Sequence, residues 1–173
     1  MTLTELHLLL TYECNLSCAH CFVWGSPAQS GVMSMPLVKR VLDQAEALGS
    51  IEWIYFEGGE PFLHFGLLLQ ATEAAAALGF RVGLVTNAFW ASGPHQARER
   101  LLPLADRIED FSISTDRFHG NADMAQRAKC AFVEAEKLGI PVNWIRVNDP
   151  VAGEASRSES ELVYRGRAAA RLA

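Results

Sequence analysis

The sequence has no long apolar run, no excess of positive charge and no export signal. None of its apolar stretches is long enough to span a bilayer, which argues against an integral membrane protein. Its formal net charge is -5, which argues against broad nucleic-acid binding because that usually needs a basic face. The first residues, Met1 to Glu5, lack the basic region and cleavage site of a signal peptide. We therefore expect a cytoplasmic protein with no membrane and no nucleic-acid partner.

Cysteine is also scarce, yet three of the four cysteines fall between Cys14 and Cys21. Thiols stay reduced in the cytoplasm, so this group indicates a metal or redox site before it indicates disulfides. Structural zinc usually takes four ligands, often as two separated pairs, whereas Cys130 stands alone far along the chain. An iron–sulfur cluster also normally takes four cysteines, so three would leave one iron open to a substrate or cofactor. The spacing alone does not choose between zinc and an open cluster.

Apolar runs and helix-like segments alternate along the chain. The strand-like segments are residues 5–12, 51–56, 80–86, 108–114 and 140–147, and the helix-like segments are residues 35–48, 64–78, 96–105 and 121–138. A repeated βα pattern predicts an α/β fold with a parallel sheet and covering helices, either a partial barrel or a doubly wound layer. The polar stretch 148–160, which contains Pro150 and Gly153, predicts a loop or linker. We therefore expect a core over residues 1–148 and a separate segment over 149–173, with a sixth strand at 162–164.

Polar residues follow each predicted strand. In parallel βα architectures, binding and catalytic groups collect where the strands end, at one rim of the sheet. This rule predicts that five groups converge there: Cys14, Cys18 and Cys21 after the first strand, Gly58, Gly59, Glu60 and Pro61 after the second, Asn87 after the third, Ser114 and Asp116 after the fourth, and Arg146 after the fifth.

Two of these groups carry a resemblance to a known family. The segment from Cys14 to Cys21 has the spacing CxxxCxxC, and Gly58-Gly59-Glu60-Pro61 matches a GGEP motif after the second strand. Together they make the chain resemble the radical S-adenosylmethionine (radical SAM) superfamily over residues 5–148, with features of its peptide-modifying maturases. The resemblance implies a partial (β/α) TIM-like barrel of five to six parallel strands with outer helices.

The resemblance also implies two cofactors and their contacts. A [4Fe–4S] cluster would be held by Cys14, Cys18 and Cys21, and S-adenosylmethionine (SAM) would bind its open iron. His20 would lie against the adenine. The remaining implied contacts are Gly58, Gly59, Glu60 and Pro61 near the methionyl amino group, Ser114 and Asp116 at the ribose, and Asn87 and Arg146 at the sugar or the carboxylate. The resemblance assigns no catalytic side chain.

The implied activity is reductive cleavage of SAM to a 5′-deoxyadenosyl radical that abstracts hydrogen from a peptide or another small biosynthetic molecule. The implied electron donor is flavodoxin- or ferredoxin-like. Family members usually have six strands, so we expect either a minimal member or a fragment of a longer barrel, which a homodimer or a partner chain could close. One alternative is a non-catalytic or partner-dependent module that binds the cluster and SAM. A small zinc-binding interaction protein is the other.

Overall fold

The structure is a computed structural model that describes residues 2–116, 119, 122–146, 166, 167 and 170. Over these residues five strands alternate with four helices, as predicted. Their bounds are β1 (Glu5–Leu9), α1 (Met35–Leu48), β2 (Trp53–Glu57), α2 (Phe65–Ala77), β3 (Arg81–Thr86), α3 (Pro94–Leu101), β4 (Asp110–Ser114), α4 (Ala122–Lys137) and β5 (Val142–Ile145).

The five strands form one parallel sheet in the order β1-β2-β3-β4-β5. Each strand pairs with the one before it, so the order never reverses as it would in a doubly wound sheet. In the described part of the chain β1 and β5 stand at opposite ends of an open sheet. The prediction of a partial (β/α) barrel is therefore confirmed. The predicted sixth strand, and nearly all of the predicted segment 149–173, lie outside the described residues.

The two faces of the sheet differ in chemistry because successive strand side chains point to opposite sides. One face is apolar and packs beneath the helices, and its largest fully buried side chains are Ile54, Phe56, Leu84, Phe111 and Ile113. Burial of this surface is the main favourable contribution to folding. The opposite face carries polar side chains such as His7 and Ser112, which leaves it free to contact a ligand.

The helix ends follow their local sequence. Ser34 caps α1 by accepting a hydrogen bond from the Leu37 N–H, and Gly49 ends the helix with a φ of 70°. The third helix ends at Leu101 and tightens into a short 3₁₀ helix, Leu102–Leu104, because Pro103 cannot continue an α-helix. None of the helices in the described part of the chain is long and apolar enough to cross a membrane.

Candidate cofactor site

A cavity of about 590 Å³ lies on the polar face of the sheet and reaches the carboxyl ends of the strands. Most of the predicted site residues converge on its wall, as expected for a rim site in a parallel βα fold. The predicted residues on the wall are Cys14, Cys18, His20, Cys21, Gly58, Gly59, Asn87 and Ser114.

The three thiols on this wall belong to the loop that follows β1. The N–H of Cys14 donates to the carbonyl of Ser26, and the N–H of Cys21 donates to the carbonyl of Cys18, both at 3.2 Å. These hydrogen bonds fold the loop back on itself, so cysteines three and four residues apart face the same cavity. All three are free thiols, and Cys14 is buried.

The environment of Cys14 and Cys18 opposes the charged forms of these two thiols. Burial raises the pKa of Cys14 to about 11 and that of Cys18 to about 12, and repulsion from the neighbouring thiolates contributes to both shifts. A bound metal offsets these costs, because thiolates are its ligands and protons are released when it binds. Three soft donors fit a [4Fe–4S] cluster with one open iron. The fourth cysteine, Cys130, lies on α4 and outside this cavity.

Gly58 and Gly59 bring the turn after β2 against the cysteine loop. The Gly59 N–H donates to the carbonyl of Thr11 at 2.7 Å, and the Glu60 N–H donates to the carbonyl of Glu13 at 2.9 Å. A Cβ on Gly58 would overlap the Thr11 oxygen, and a Cβ on Gly59 would overlap the Glu13 oxygen. Only glycine fits at these two positions, because the backbone of the turn after β2 lies in contact with the backbone of the cysteine loop. The additional approach of a ligand amino group stays a prediction.

Glu60 is fully buried and does not line the cavity in the described structure. One carboxylate oxygen accepts hydrogen bonds from the Phe62 N–H at 3.1 Å and the Thr86 hydroxyl at 2.8 Å. The other oxygen accepts from the Asn87 N–H at 2.8 Å. Glu60 therefore joins the end of β2 to the end of β3, whereas the sequence suggested a carboxylate beside a ligand ammonium. Pro61 is also buried, as the first residue of a short 3₁₀ helix.

The environment of Glu60 gives a testable pH dependence. Burial raises the pKa of this carboxyl from 4.5 to about 7, against the effect of its three hydrogen bonds. The folded chain then holds a proton that the unfolded chain loses near its ordinary pKa, so this contribution to stability falls as pH rises through 7. Between about pH 6 and about pH 8, we expect the wild type to lose about 1 kcal/mol more stability than Glu60→Gln.

Denaturant unfolding at the two pH values measures this difference. Glu46→Gln, on the exposed side of α1, controls for the loss of one carboxylate. If the free energy of unfolding depends on pH equally in the wild type and in Glu60→Gln, the raised pKa of Glu60 is wrong.

Asn87 links the turn after β2 to the cysteine loop. Its side-chain amide donates to Asn15 Oδ1 at 2.9 Å and lies 3.7 Å from the sulfur of Cys14. A hydrogen bond to a sulfur stabilises the thiolate, so Asn87 acts on the nearest of the three thiols. Sequence reasoning placed Asn87 at the rim but missed Asn15. The two residues lie 72 positions apart, and no local pattern pairs them.

His20 and Asp116 form a cluster with His119 beside the cavity. The carboxylate of Asp116 lies 2.9 Å from His119 Nδ1 and 3.7 Å from His20 Nε2. The two rings meet edge to face, with centroids 4.7 Å apart. Burial, together with repulsion from His119, lowers the pKa of His20, although Asp116 opposes the shift. His20 and His119 line the cavity, whereas Asp116 holds them from behind.

Arg146 is placed away from the cavity. Side chains alternate along β5, so Ile145 faces the cavity while Trp144 stacks on Phe132 of α4 at 4.5 Å. The guanidinium of Arg146 lies over the Trp144 ring, 4.8 Å from its centroid, and the residue is exposed. The structure therefore does not bring Arg146, a predicted cofactor contact, to the cavity wall. Ser114, by contrast, is on the wall.

One part of the cavity wall carries hydrogen-bonding side chains. The ring of Tyr55 stacks on His7 with centroids 4.7 Å apart, and its hydroxyl donates to Asp110 at 3.2 Å. Glu57 forms a hydrogen bond with His7. Burial, followed by the Asp110 carboxylate, raises the pKa of Tyr55 to about 12, so this phenol stays neutral. His7, Tyr55 and Glu57 line the same cavity as the three thiols.

Comparisons with known proteins show the family to which this chain belongs. A family model described as the radical SAM superfamily matches residues 8–136. YydG of Bacillus subtilis (strain 168), whose name connects it with peptide biosynthesis, is 26% identical over 111 residues, which are 64% of this chain and 35% of YydG. A Pyrococcus furiosus protein, named as the cofactor-modifying protein of a tungsten-containing aldehyde ferredoxin oxidoreductase, is 36% identical over 83 residues, 47% of this chain and 23% of that protein.

A solved structure supports the fold. BtrN, crystallised with AdoMet and 2-DOIA, superposes with a TM-score of 0.57 at 21% identity, covering 86% of this chain and 58% of BtrN. The chain spans well under half the length of the two curated relatives. The cofactors of the family are a [4Fe–4S] cluster and SAM. Because the family model matches from Leu8 through most of α4, this chain belongs to the radical SAM superfamily.

Proposed function

We propose that this chain holds a [4Fe–4S] cluster through Cys14, Cys18 and Cys21 and uses it in SAM-dependent radical chemistry. The observation that carries the proposal is the convergence of three free thiols on one cavity, with no fourth cysteine on its wall in the described structure. Three ligands leave one iron of the cluster open. When bound, the reduced cluster supplies the electron that divides SAM into methionine and a 5′-deoxyadenosyl radical, which takes hydrogen from a substrate.

The residues around the thiols would position SAM. Gly58 and Gly59 offer backbone at the cavity wall, and Ser114 offers a hydroxyl for a ribose oxygen. Burial lowers the pKa of His20, which favours the uncharged ring and suits packing on a neutral base. Asp116 would act through the two histidines that it holds, because its carboxylate is 5% exposed.

We propose a peptide or another small biosynthetic molecule as the substrate. The hydrogen-bonding side chains of His7, Tyr55 and Glu57 on the cavity wall support a substrate that carries hydrogen-bonding groups. The name of YydG supports a peptide, whereas the name of the Pyrococcus furiosus relative points to a cofactor. The proposal further includes a flavodoxin- or ferredoxin-like electron donor, a core over residues 1–148, and a homodimer or partner chain that closes the open sheet.

Anaerobic reconstitution tests the proposed function. The chain should take up about four irons per molecule and, once reduced in the presence of SAM, release 5′-deoxyadenosine. The measurements are iron and sulfide analysis, together with chromatography of the nucleoside product. Stoichiometric zinc binding without iron uptake would overturn the proposal in favour of a zinc-binding protein. Iron uptake and SAM binding without nucleoside release, even with electron donor and candidate substrates present, would instead favour a non-catalytic module.

A further inference from the structure

Arg167 contacts the cysteine loop from far along the chain. Its guanidinium donates from Nη1 to the carbonyl of Cys18 at 2.6 Å and from Nη2 to the carbonyl of Gly25 at 2.8 Å. Its backbone N–H donates to the carbonyl of Cys21 at 3.1 Å. One residue therefore binds three carbonyls of a loop that forms neither helix nor strand. The Cys18 carbonyl also accepts from the Cys21 N–H, so Arg167 reinforces a hydrogen bond that already shapes the loop.

Gly166 allows the backbone next to Arg167 to lie against the cysteine loop. Its φ is +56°, and a Cβ would overlap the carbonyl oxygen of Cys21 and lie 2.8 Å from its carbonyl carbon. Only glycine meets both conditions without strain. We call Gly166 and Arg167 the loop clamp.

The loop under the clamp contains a strained residue. Trp24 has a φ of 62°, an uncommon value for a residue other than glycine. Such conformations persist when the surrounding structure enforces them. The guanidinium of Arg167 lies 5.6 Å from the centre of the Trp24 ring, so the clamp contacts the loop at this point as well.

We propose that Arg167 is a positioning residue for the metal centre. The loop clamp keeps the cysteine loop in the conformation in which its thiols converge, and it places a fixed positive charge beside Cys18. A guanidinium suits this task because its planar fork donates to two carbonyls at once, which an ammonium group cannot reproduce. A nearby cation also favours the more negative, reduced state of a cluster. The role at the metal rests on the proposed function, whereas the holding of the loop rests on the hydrogen bonds alone.

Hydrogen exchange on the metal-free full chain tests the loop clamp. In Arg167→Gln and Gly166→Ala, the hydrogen-bonded amides of the cysteine loop, those of Cys14 and Cys21, should exchange about tenfold faster than in the wild type, because the loop opens more often once its bonds to a charged donor are lost. Arg107→Gln is the matched control, since Arg107 also donates to a carbonyl, that of Pro103 at 2.7 Å, outside the site. It should leave exchange in the loop unchanged. Unchanged loop exchange in Arg167→Gln would overturn the proposal.

A second measurement separates charge from geometry. In reconstituted protein, Arg167→Gln should lower the reduction potential of the cluster, whereas Arg167→Lys should keep the potential near that of the wild type while its loop still exchanges faster. Arg167→Lys also serves if Arg167→Gln fails to fold. If the loop amides of Arg167→Lys exchange at the wild-type rate, the proposed role of the planar guanidinium is wrong. If the reduction potential of the cluster is unchanged in Arg167→Gln, the proposed role of the positive charge is wrong. If the wild type takes up no iron, the proposed function is wrong. Amide hydrogen exchange in the metal-free protein still tests whether the loop clamp holds the cysteine loop.

Discussion

Replacing any one of Cys14, Cys18 or Cys21 with serine is expected to abolish cluster assembly and lower SAM cleavage by more than about a hundredfold. Even groups that only support metal ligands cost up to about that factor when removed, so the loss of a ligand should cost at least as much. The wall of the cavity carries no spare thiol among the described residues. Iron content and 5′-deoxyadenosine release, measured for each variant after the same reconstitution, check the prediction.

Cys130→Ser is the matched control for these variants. Cys130 lies on α4 beside a different surface cavity, so its loss should leave iron content and nucleoside release unchanged. Full iron content in a serine variant of the cysteine loop would contradict the assigned ligands. Loss of iron in Cys130→Ser would show instead that the site includes a ligand from α4.

The state of the thiols adds a pH dependence to metal uptake. Burial keeps Cys14 and Cys18 protonated at neutral pH in the metal-free chain, since it raises their pKa values to about 11 and about 12. Metal binding must therefore release protons, and the apparent affinity should rise with pH up to these values. A metal titration at about pH 7 and about pH 8.5 should show the tighter binding at the higher pH. Equal affinity at both values would mean that the thiols are already ionised.

The parallel βα arrangement and the rim were predictable because they follow from patterns within short segments, whereas the pattern alone left a partial barrel and a doubly wound layer open. Alternating apolar runs and helices predict a parallel sheet, and the carboxyl ends of its strands meet at one rim. That rule was sufficient to bring the three cysteines, the two glycines and Asn87 to one cavity. The helix ends were equally predictable, because Ser34 and Gly49 are residue types that favour the start and the end of a helix such as α1.

The orientation of individual side chains was less predictable. Glu60 and Arg146 both follow strands, but Glu60 turns inward to three donors and Arg146 faces the helix side of β5. Both outcomes depend on turn geometry and on the alternation of side chains at the last strand residues, where boundaries are hardest to predict. The contact of Arg167 with Cys18 spans 149 residues, so no local sequence pattern predicts it.

Gly59→Ala is expected to lower the free energy of unfolding by about 3 kcal/mol. The added Cβ would overlap the carbonyl oxygen of Glu13 and lie 2.5 Å from its carbonyl carbon and 2.8 Å from the oxygen of Tyr12. All three atoms are backbone, so no rotamer change relieves the contact. Overpacking of this kind costs about 1–3 kcal/mol, and the two hydrogen bonds that join the turn to the loop add about 1 kcal/mol each when broken.

Gly66→Ala provides a control of opposite sign. Gly66 lies in α2 with open space around its Cβ position, so alanine there should stabilise the chain by up to about 1 kcal/mol through its helix propensity. Denaturant unfolding of the two variants measures both changes. Because Glu13 directly precedes Cys14, a displaced backbone in Gly59→Ala should also expose this buried thiol and accelerate its alkylation in metal-free protein. Wild-type stability together with wild-type alkylation in Gly59→Ala would contradict the close contact between the turn and the cysteine loop, and with it the geometry on which the cofactor site depends.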